Sequence, residues 1–358
     1  MTRSEIEREL LAWIAEGVDA QRSDARFDEL ALALFHLQVE RGAAYRRICE
    51  AFGCDPRAVR HWREIPAVPT GAFKEARLAI FPASATLRTF RSSGSTSEAR
   101  GRLELDDLRL YDASLEASFR AFVCPDVARI RFSVLAPSAS DAPDSSLSYM
   151  FSRAVERMGS AASRFLVDAN GWNPDAAIDE LAAAREPLAL VGTAFAFVHL
   201  LDRLAARGEK LELRAGTRVM ETGGFKGRAR ELTREALHGG IESSLGVPRA
   251  RIVNQYGMCE LASQFYEPSL RTGTYCDVKS VPPWVRVRAV DPLTQKDVAR
   301  GERGVLAICD LANVGSALAV LTSDQGELAD GGFRVFGRLP GAEARGCSIA
   351  ADALLGAE

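Results

Sequence analysis

The chain has 358 residues, 47% of them hydrophobic and 26% charged, which is typical of a globular protein with a substantial core. Its 45 basic and 48 acidic residues give a net charge of −3, so no general positive field attracts nucleic acid or an anionic membrane. The longest apolar run, 187–201, is shorter than a bilayer-spanning helix needs to be. We therefore expect neither a nucleic-acid partner nor a membrane span.

Seven cysteines are spread along the chain without a regular spacing. An odd number of scattered cysteines predicts free thiols, and so a reducing, cytoplasmic compartment. The first residues alternate charged and apolar side chains and do not resemble a secretory signal. Cys49 and Cys54 precede His61, but the spacing is poor for zinc and no fourth ligand is evident, so buried thiols are the better interpretation.

The N-terminal part, 1–88, is predicted to be helical and to pack on the core. Ser4 and Glu7 have the spacing of a capping box at the start of a first helix. A second helix is predicted to end near Gly42. Each helix has one apolar stripe for the core, comprising Ile6, Leu10, Trp13 and Ile14 in the first and Phe27, Leu30, Leu34 and Leu37 in the second.

Short apolar strands alternate with helices in the middle of the chain, 89–275. One helix is predicted to open at Asn173 and Pro174, a favourable N-cap and first-turn pair, and another to end at Gly246. This alternation predicts an α/β core, with a mainly parallel sheet covered by helices. The candidate strands are 129–135, 164–168, 188–192, 218–222 and 251–256.

After residue 275 the helical pattern stops. Strand patterns at 284–290, 304–311 and 332–338 follow one another without helices between them, which predicts antiparallel pairing. The region 276–358 is therefore expected to be β-rich and to end in a short tail.

The segment 90-FRSSGSTSEARG-101 has the composition of a phosphate loop. Such a loop needs consecutive backbone N–H groups, small residues and a nearby cation. Gly94 would supply the turn and Arg100 the cation, while the hydroxyl donors are Ser92, Ser93, Ser95 and Thr96. Segments rich in Ser and Gly are more often plain loops, and this one lacks both G-x-x-x-x-G-K-[ST] and G-x-G-x-x-G. Later motifs decide between the two interpretations.

Four further motifs follow the loop in chain order: 256-YGMCE-260, 301-GERGVL-306, 322-TSD-324 and 337-GR-338. With the loop, they resemble the signatures T-S-G-S-T-G-x-P-K-G, Y-G-x-T-E, G-E-x-G-E-L, T-G-D and G-R of the adenylate-forming superfamily. Ser97, Arg100 and Cys259 stand where that superfamily has Gly, Lys and Thr, so each position keeps a small residue or a cation. The shared order favours the phosphate loop, and the resemblance implies the α/β large domain of these enzymes.

Three more segments narrow the resemblance: 66-PAVPTGAFK-74, 221-ETGGFKGRARE-231 and 337-GRLPGAEARGCS-348. They resemble the acyl-protein synthetase family, which includes the fatty-acid-activating component of the fatty acid reductase complex in luminescent bacteria. The resemblance implies that ATP and Mg²⁺ convert a fatty or related acid to acyl-AMP and pyrophosphate, and that the acyl group moves to a protein cysteine. The implied partner is an acyl-reductase or an acyl-carrier protein.

The resemblance implies a role for each matched position. Adenylation requires neutralised charge on the triphosphate and a fixed ribose. Glu260 is implied to bind Mg²⁺ and Asp324 to accept hydrogen bonds from the ribose hydroxyls, with Arg338 as a second contact. Taken alone, Glu260 could be a helix-start acid and Asp324 a turn residue. The implied ATP-binding residues are Ser92, Ser93, Gly94, Ser95, Thr96, Gly223, Gly224, Tyr256, Gly257, Asp324 and Arg338.

Other segments are assigned to the acyl chain and to catalytic cations. Arg100 and Lys226 are candidate catalytic cations, although an exposed lysine at a helix start is the simpler interpretation of Lys226. An apolar run suits a plain core as well as an acyl tunnel, and His199 within it is interpreted as a hydrogen-bonded core histidine. The candidate acyl-binding residues are Val191, Gly192, Thr193, Phe195 and Phe225.

Cys347 lies 11 residues from the C-terminus and follows Arg345, which would favour its thiolate. In the acyl-protein synthetase family a cysteine close to the C-terminus carries the acyl group, and Cys347 matches that place; the alternative is an ordinary tail cysteine. Most superfamily enzymes continue past G-R with a mobile domain of roughly a hundred residues, within the usual domain size. Because 20 residues follow Arg338 here, we expect that domain to be absent.

Two alternative functions stay open from the sequence. An acyl- or aryl-coenzyme A ligase would release AMP in the presence of coenzyme A without forming an acyl-protein. A catalytically inactive nucleotide-binding scaffold would bind ATP without turnover. The sequence does not predict acyl chain length, the physiological acceptor, the oligomeric state or a connection to bioluminescence.

Overall fold

The computed structural model describes residues 1–92, 100–168, 171–223 and 233–338. Its α-helices are α1 (Arg3–Ala15), α2 (Asp24–Arg41), α3 (Ala43–Ala51), α4 (Ala72–Glu75), α5 (Arg109–Val123), α6 (Ser146–Met158), α7 (Pro174–Ala182), α8 (Ala194–Arg207), α9 (Arg234–Leu245) and α10 (Ser269–Thr272). Its strands are β1 (Val68–Pro69), β2 (Arg88–Arg91), β3 (Arg102–Leu105), β4 (Arg131–Leu135), β5 (Arg164–Phe165), β6 (Val167–Asp168), β7 (Gly171–Trp172), β8 (Leu188–Thr193), β9 (Arg218–Thr222), β10 (Ile252–Tyr256), β11 (Phe265–Tyr266), β12 (Lys279–Ser280), β13 (Val285–Val290), β14 (Gly304–Asp310), β15 (Ala319–Ala329) and β16 (Gly332–Arg338).

The chain forms two compact units. The first comprises 1–117, 258–264 and the chain from 281 onward, and the second comprises 118–257 and 265–280. The chain therefore leaves the second unit after Gly257, returns to the first for a short segment, and enters the second again at Phe265. The boundaries of these two units differ from those of the three regions predicted from the sequence. Those regions stay a prediction: 1–88, 89–275 and 276–358.

The second unit is built on a mainly parallel sheet, as predicted. The strand order is β11-β10-β9-β8-β4-β5, and β4, β5, β8, β9 and β10 pair in parallel. The strands predicted at 188–192, 218–222 and 251–256 are β8, β9 and β10. Their carboxyl ends lie at one edge of the sheet, and in α/β sheets ligands bind outside the carboxyl ends of the strands.

Three helices cover this sheet with their apolar faces. Burying one Leu, Ile or Phe side chain contributes about 1.5–3 kcal/mol, so these contacts hold the helices in place. The predicted start of α7 is confirmed, because Asn173 Oδ1 accepts the N–H of Asp175 at 3.1 Å. Buried members of this core are Ile178 and Leu181 from α7, Phe197, Leu200 and Leu204 from α8, Leu237, Ile241 and Leu245 from α9, and Leu190, Val219 and Ile252 from the strands.

The strand predicted at 164–168 is divided between two sheets. β5 pairs in parallel with β4, whereas β6 pairs with β7 in a separate hairpin. Leu166, between β5 and β6, donates its N–H to Val134 O at 2.8 Å. A uniform apolar pattern did not reveal that the chain changes partner at this residue.

The first unit contains the predicted antiparallel sheet. Its strands have the order β16-β15-β14-β13, and β1 pairs in parallel with β15. The strands predicted at 284–290, 304–311 and 332–338 are β13, β14 and β16. β15 was not predicted, because polar residues interrupt its apolar pattern after Leu321. This strand carries the T-S-D motif at its centre.

The first unit also contains α1 and α2, whose predicted apolar stripes are buried throughout. α2 ends at its C-cap Gly42, as predicted. The capping box of α1 consists of Thr2 and Glu5 rather than Ser4 and Glu7, because Glu5 donates its N–H to Thr2 Oγ1 and accepts the N–H of Thr2. Both pairs have the same spacing, so spacing alone could not distinguish them. None of the helices in the described ranges has the length and apolar content needed to cross a bilayer.

Candidate active site

The predicted phosphate loop connects the two strands of a hairpin in the first unit. β2 and β3 pair antiparallel. Beyond the strand ends, Ser92 donates its N–H to Gly101 O at 2.9 Å, and Gly101 donates its N–H to Ser92 Oγ at 2.8 Å. The loop is therefore closed at its base. Four of the predicted phosphate-binding residues lie outside the described ranges, and their roles stay a prediction: Ser93, Gly94, Ser95 and Thr96.

Arg100 contributes to the same closure. Its Nε donates to Ser92 O at 2.6 Å, and its Nη2 lies 3.4 Å from Arg91 O. These contacts place the guanidinium at the hairpin base, where a positive charge is next to the loop. Its predicted role towards the triphosphate stays a prediction.

Glu260 lies beside this hairpin base. Its side chain is 5% exposed, and a Cβ added to Gly101 would lie 2.8 Å from Glu260 Oε1 and 3.3 Å from Ser92 Oγ. Because Gly101 has no Cβ, the carboxylate can approach the hairpin closely. The two motifs that resemble the phosphate loop and Y-G-x-T-E thus meet within one unit, although 159 residues separate Gly101 from Glu260.

The chemistry of this position suits a hard cation such as Mg²⁺, which takes oxygen ligands and often binds through one carboxylate with phosphate oxygens and water. Glu260 would supply that carboxylate. Within the described ranges, no cluster of three or more His, Cys, Asp or Glu side chains could hold a metal ion without a substrate. Nucleotide phosphate oxygens and water would supply the other ligands of a metal at Glu260.

The backbone around Glu260 is fixed by two buried residues from the end of β14 and the turn after it. Asn313 Nδ2 donates to Glu260 O at 3.1 Å. Asp310 accepts the N–H groups of Ala262 and Ser263 at 2.9 and 2.7 Å. Burial raises the pKa of the Asp310 carboxyl, and these hydrogen bonds oppose that effect. The sequence analysis missed both residues; the available signal was a polar pair directly after an apolar strand.

Asp324 and Arg338 are directly opposite each other on β15 and β16. Opposed residues of an antiparallel pair project from the same face, with Cβ atoms about 5 Å apart. Both could therefore contact one ribose, as the resemblance implies. Thr70, which belongs to the 66–74 motif, lies next to the T-S-D motif of β15. Its Oγ1 is 3.4 Å from Ser323 Oγ. The sequence analysis quoted that motif but gave Thr70 no role.

In the second unit, the predicted residues lie at the ends of β9 and β10. Tyr256 is the last residue of β10 and packs against Phe265, with ring centroids 6.0 Å apart, and Gly257 follows it. Gly223 follows β9 in a left-handed conformation (φ +86°) that glycine adopts at low cost. Gly224, Phe225 and Lys226 lie outside the described ranges, so their roles stay predictions.

A buried polar network lies beneath these strand ends. Glu221 Oε1 accepts from Asn254 Nδ2 at 2.5 Å and lies 3.1 Å from His238 Nε2. Glu267 accepts from Lys279 Nζ at 2.7 Å and from Arg234 Nη1 at 3.1 Å. The network joins β9, β10, β12 and α9. The sequence analysis missed it, although Glu221 was a visible charge inside a buried strand.

The predicted acyl-binding residues are at the end of β8 and the start of α8. Val191 is wholly buried in the sheet, and a Cβ on Gly192 would lie 2.7 Å from Leu135 Cβ on β4, so strand packing explains that glycine. Thr193 caps α8 by accepting the N–H of Ala196 at 3.1 Å. Phe195 is half-buried. Contact of these residues with an acyl chain stays a prediction.

His199 is not the core histidine predicted from the sequence. It is exposed on α8, where its ring packs edge-on against Phe195 at 4.3 Å and Trp172 at 5.9 Å. The apolar run continues around most of the helix, so the pattern did not show which side faces solvent.

Comparison with known proteins identifies the family of the chain. The sequence profile of the family described as "Acyl-protein synthetase, LuxE" matches residues 8–355. The long-chain-fatty-acid–luciferin-component ligase of Aliivibrio fischeri is 25% identical over 308 residues, which cover 84% of this chain and 78% of the relative.

Solved structures show the same fold. 2-Hydroxyisobutyryl-CoA ligase in complex with R3-HIB-AMP has a TM-score of 0.65 and 15% identity, covering 88% of this chain and 68% of that one. ATP-bound MatB from Rhodopseudomonas palustris has a TM-score of 0.52 and 18% identity, covering 72% of this chain. The chain spans about half of the MatB structure, 49%. At these identities the likeness shows the fold alone.

Fold and family profile together define the class: an adenylate-forming acid–thiol ligase. Within that class, the chain belongs to the acyl-protein synthetase family, LuxE, whose profile covers nearly all of it. The family resemblance and the fold class inferred from the motifs are thereby confirmed.

Proposed function

We propose that this protein activates a long-chain fatty acid, or a related carboxylic acid, with ATP and transfers the acyl group to a protein cysteine. A carboxylate oxygen attacks the α-phosphorus, the bond to the β-phosphate oxygen breaks, and acyl-AMP and pyrophosphate form. A thiolate then attacks the acyl carbonyl carbon, so that a thioester forms and AMP leaves. The fatty-acid substrate is suggested by the name of the Aliivibrio fischeri relative.

The observation that carries the proposal is the position of Glu260 at the base of the predicted phosphate loop. A buried carboxylate next to Gly101, at the base of the loop, is suited to holding Mg²⁺ against nucleotide phosphates. When bound, Mg²⁺ would neutralise charge on the triphosphate, the largest electrostatic requirement of the step. Ser92 and Arg100 would hold the loop at its base, and Asp324 and Arg338 would fix the ribose.

The acyl acceptor within the chain would be Cys347, which lies outside the described residues. Two other cysteines are poor candidates, because burial raises the pKa of Cys49 to about 12 and that of Cys124 to about 11. The thiolate is the nucleophile, so these thiols would be unreactive near neutral pH. An acyl-reductase or an acyl-carrier protein would then receive the acyl group.

We also infer a cytoplasmic location. None of the six cysteines within the described ranges forms a disulfide bond there, as expected of a reducing compartment.

The test is carboxylate-dependent exchange of pyrophosphate into ATP, measured with a panel of fatty and aromatic acids. We expect exchange with at least one long-chain acid and none without acid. Exchange followed by AMP release only in the presence of coenzyme A would select a coenzyme A ligase. ATP binding without exchange for any acid would select an inactive scaffold.

The acceptor is tested by mass spectrometry of the intact protein after turnover. Cys347→Ala should still make acyl-AMP but form no hydroxylamine-sensitive acyl-protein. Cys276→Ala, which removes a half-buried cysteine, is the matched control and should be acylated like the parent. Acylation of Cys347→Ala at the parental rate would show that another thiol is the acyl acceptor.

A further inference from the structure

The segment that carries Glu260 is held by hydrogen bonds from two buried side chains of the first unit. Asn313 Nδ2 donates to Glu260 O at 3.1 Å and to Ala317 O at 2.9 Å, so it joins Glu260 to the turn after β14. Asp310 Oδ2 accepts the N–H groups of Ala262 and Ser263, and its Oδ1 accepts from Ser263 Oγ at 2.8 Å. The backbone is therefore fixed at Glu260 and again two and three residues beyond it.

This arrangement carries an energetic penalty, which indicates that it is more than packing. Asp310 and Asn313 are both wholly buried, and none of the ion pairs among the described residues includes Asp310. A buried carboxylate without a cation is costly unless hydrogen bonds compensate it. Here the compensating donors are the backbone N–H groups of the Glu260 segment and of Ala312. The cost is fully offset only when that segment keeps the backbone geometry that points its two N–H groups at Asp310.

The geometry matters because the position of the Glu260 carboxylate at the hairpin base depends on the backbone that carries it. Its Oε1 lies beside Gly101, so a small backbone shift at residue 260 would move the carboxylate towards or away from the hairpin base. Sites of this kind require their ligands to be held to within about 0.5 Å, and supporting residues provide that precision.

We propose that Asn313 and Asp310 are positioning residues for Glu260 as a Mg²⁺ ligand. The inference rests on the proposed function, because it takes Glu260 to be the metal ligand. Beyond the proposed function, it identifies the residues that set the direction of that carboxylate. They lie on β14 and the turn after it, 50 or more residues from Glu260 in the sequence.

A purely structural role for Asn313 is the alternative, and the chain offers a matched control. Gln38 is equally buried and stabilises the same turn, donating to Asn313 O at 2.8 Å and accepting the N–H of Leu318 at 2.9 Å. Its side-chain hydrogen bonds to described residues all go to 313–318, and none reaches the Glu260 segment. Loss of Gln38 therefore damages the turn without removing a direct bond to Glu260.

The experiment uses the full-length chain and Mn²⁺ as a paramagnetic substitute for Mg²⁺. Free Mn²⁺ is measured by electron paramagnetic resonance during titration with protein and α,β-methylene-ATP, so the readout does not depend on turnover. We expect Asn313→Ala to weaken Mn²⁺ binding at least about tenfold, as loss of a supporting partner typically does. Binding of the metal-free nucleotide should be unchanged. Gln38→Ala should lower the melting temperature at least as much but leave Mn²⁺ affinity as in the parent.

Glu260→Gln separates the two levels of the argument. If it leaves Mn²⁺ affinity unchanged, Glu260 is not the metal ligand and that part of the proposed function fails. If it weakens Mn²⁺ binding but Asn313→Ala does not, or if Gln38→Ala weakens it equally, the positioning role is overturned. Should Asn313→Ala not fold, Asn313→Ser keeps one hydroxyl donor; it must still weaken Mn²⁺ more than Gln38→Ala, or the inference fails.

Discussion

At two glycine positions of this protein, an added side chain would be too close to its neighbours, for different reasons. At Gly101, a Cβ would meet Glu260 Oε1 at 2.8 Å, the far end of a flexible polar side chain. At Gly192, a Cβ would meet Leu135 Cβ at 2.7 Å on the neighbouring strand. A carboxylate can move at little cost to the fold, whereas a packed strand cannot. Gly101 is therefore a probe of the candidate site and Gly192 a probe of packing.

Gly101→Ala should reduce function without a comparable loss of stability. The added methyl group would displace the Glu260 carboxylate from the hairpin base, so we expect ATP–pyrophosphate exchange to fall by about a hundredfold, as when one electrostatic contact to the reacting phosphates is lost. Gly239→Ala is the control, because nothing lies within 4 Å of its added Cβ. Equal activity of the two variants would contradict the role of Glu260.

Asp324→Ala should remove recognition of the ribose hydroxyls. A hydrogen bond to a charged group contributes about 1.5–3 kcal/mol, so the parent should prefer ATP to 2′,3′-dideoxy-ATP by about tenfold or more, and the variant should lose that preference. Asp330→Ala, at the exposed turn that joins β15 to β16, is the control and should keep it. The measurement is the KM for each nucleotide in the exchange reaction, and retained discrimination in Asp324→Ala would exclude the contact.

At the scale of elements, the strand ends of the second unit are joined by charge as well as by backbone pairing. Glu267 and Lys279 are both wholly buried and 2.7 Å apart, and Arg234 reaches the same carboxylate from α9. Burial lowers the pKa of Lys279, while its pairing with Glu267 opposes that effect. A buried pair of this kind adds little net stability, but its loss from one side leaves an uncompensated charge.

Lys279→Met should therefore destabilise the protein by about 3–5 kcal/mol, because it leaves Glu267 without its buried partner. The double variant Lys279→Met/Glu267→Gln should recover much of that loss. Arg234→Met should cost only about 1 kcal/mol or less, because the Arg234 side chain is 32% exposed and solvent screens the pair. Urea unfolding of the three variants measures these differences. A double variant as unstable as Lys279→Met would show that packing, not charge, is responsible.

The elements differ in how well the sequence predicts them, for physical reasons. The stripes of α1 and α2 and the apolar strands β8, β9 and β10 follow directly from period and burial. β15 was missed because its apolar pattern is interrupted. The division of 164–168 between two sheets was missed because the composition of a strand does not show which strands it pairs with. The site shows the same division. Motifs indicated Glu260 and Asp324. Gln38 and Asn313 are hydrogen-bonded although they are 275 residues apart, and no local sequence pattern predicts such a pair.

At the scale of the whole molecule, buried thiols in both units make stability depend on alkaline pH. Burial raises the pKa of Cys49 to about 12 and of Cys124 to about 11, and that of Cys309 further still. In the unfolded chain each thiol would ionise with a pKa of about 8.5. Between the unfolded and the folded pKa, the folded protein holds more protons than the unfolded chain. The resulting stability is complete below the unfolded pKa and is lost as pH rises towards the folded pKa.

We therefore predict that the free energy of unfolding falls steadily above about pH 9, with each buried thiol contributing about 1.4 kcal/mol per pH unit. Urea unfolding from pH 8 to pH 11 measures the slope. Cys49→Ala and Cys124→Ala should each reduce it by one such contribution. Ile48→Val, a buried substitution next to Cys49 that changes no titratable group, should shift the whole curve without changing its slope. Parallel curves for the parent and both alanine variants would mean that these thiols ionise as readily in the folded protein as in the unfolded chain, and Cys49 and Cys124 would then return as candidate acyl acceptors.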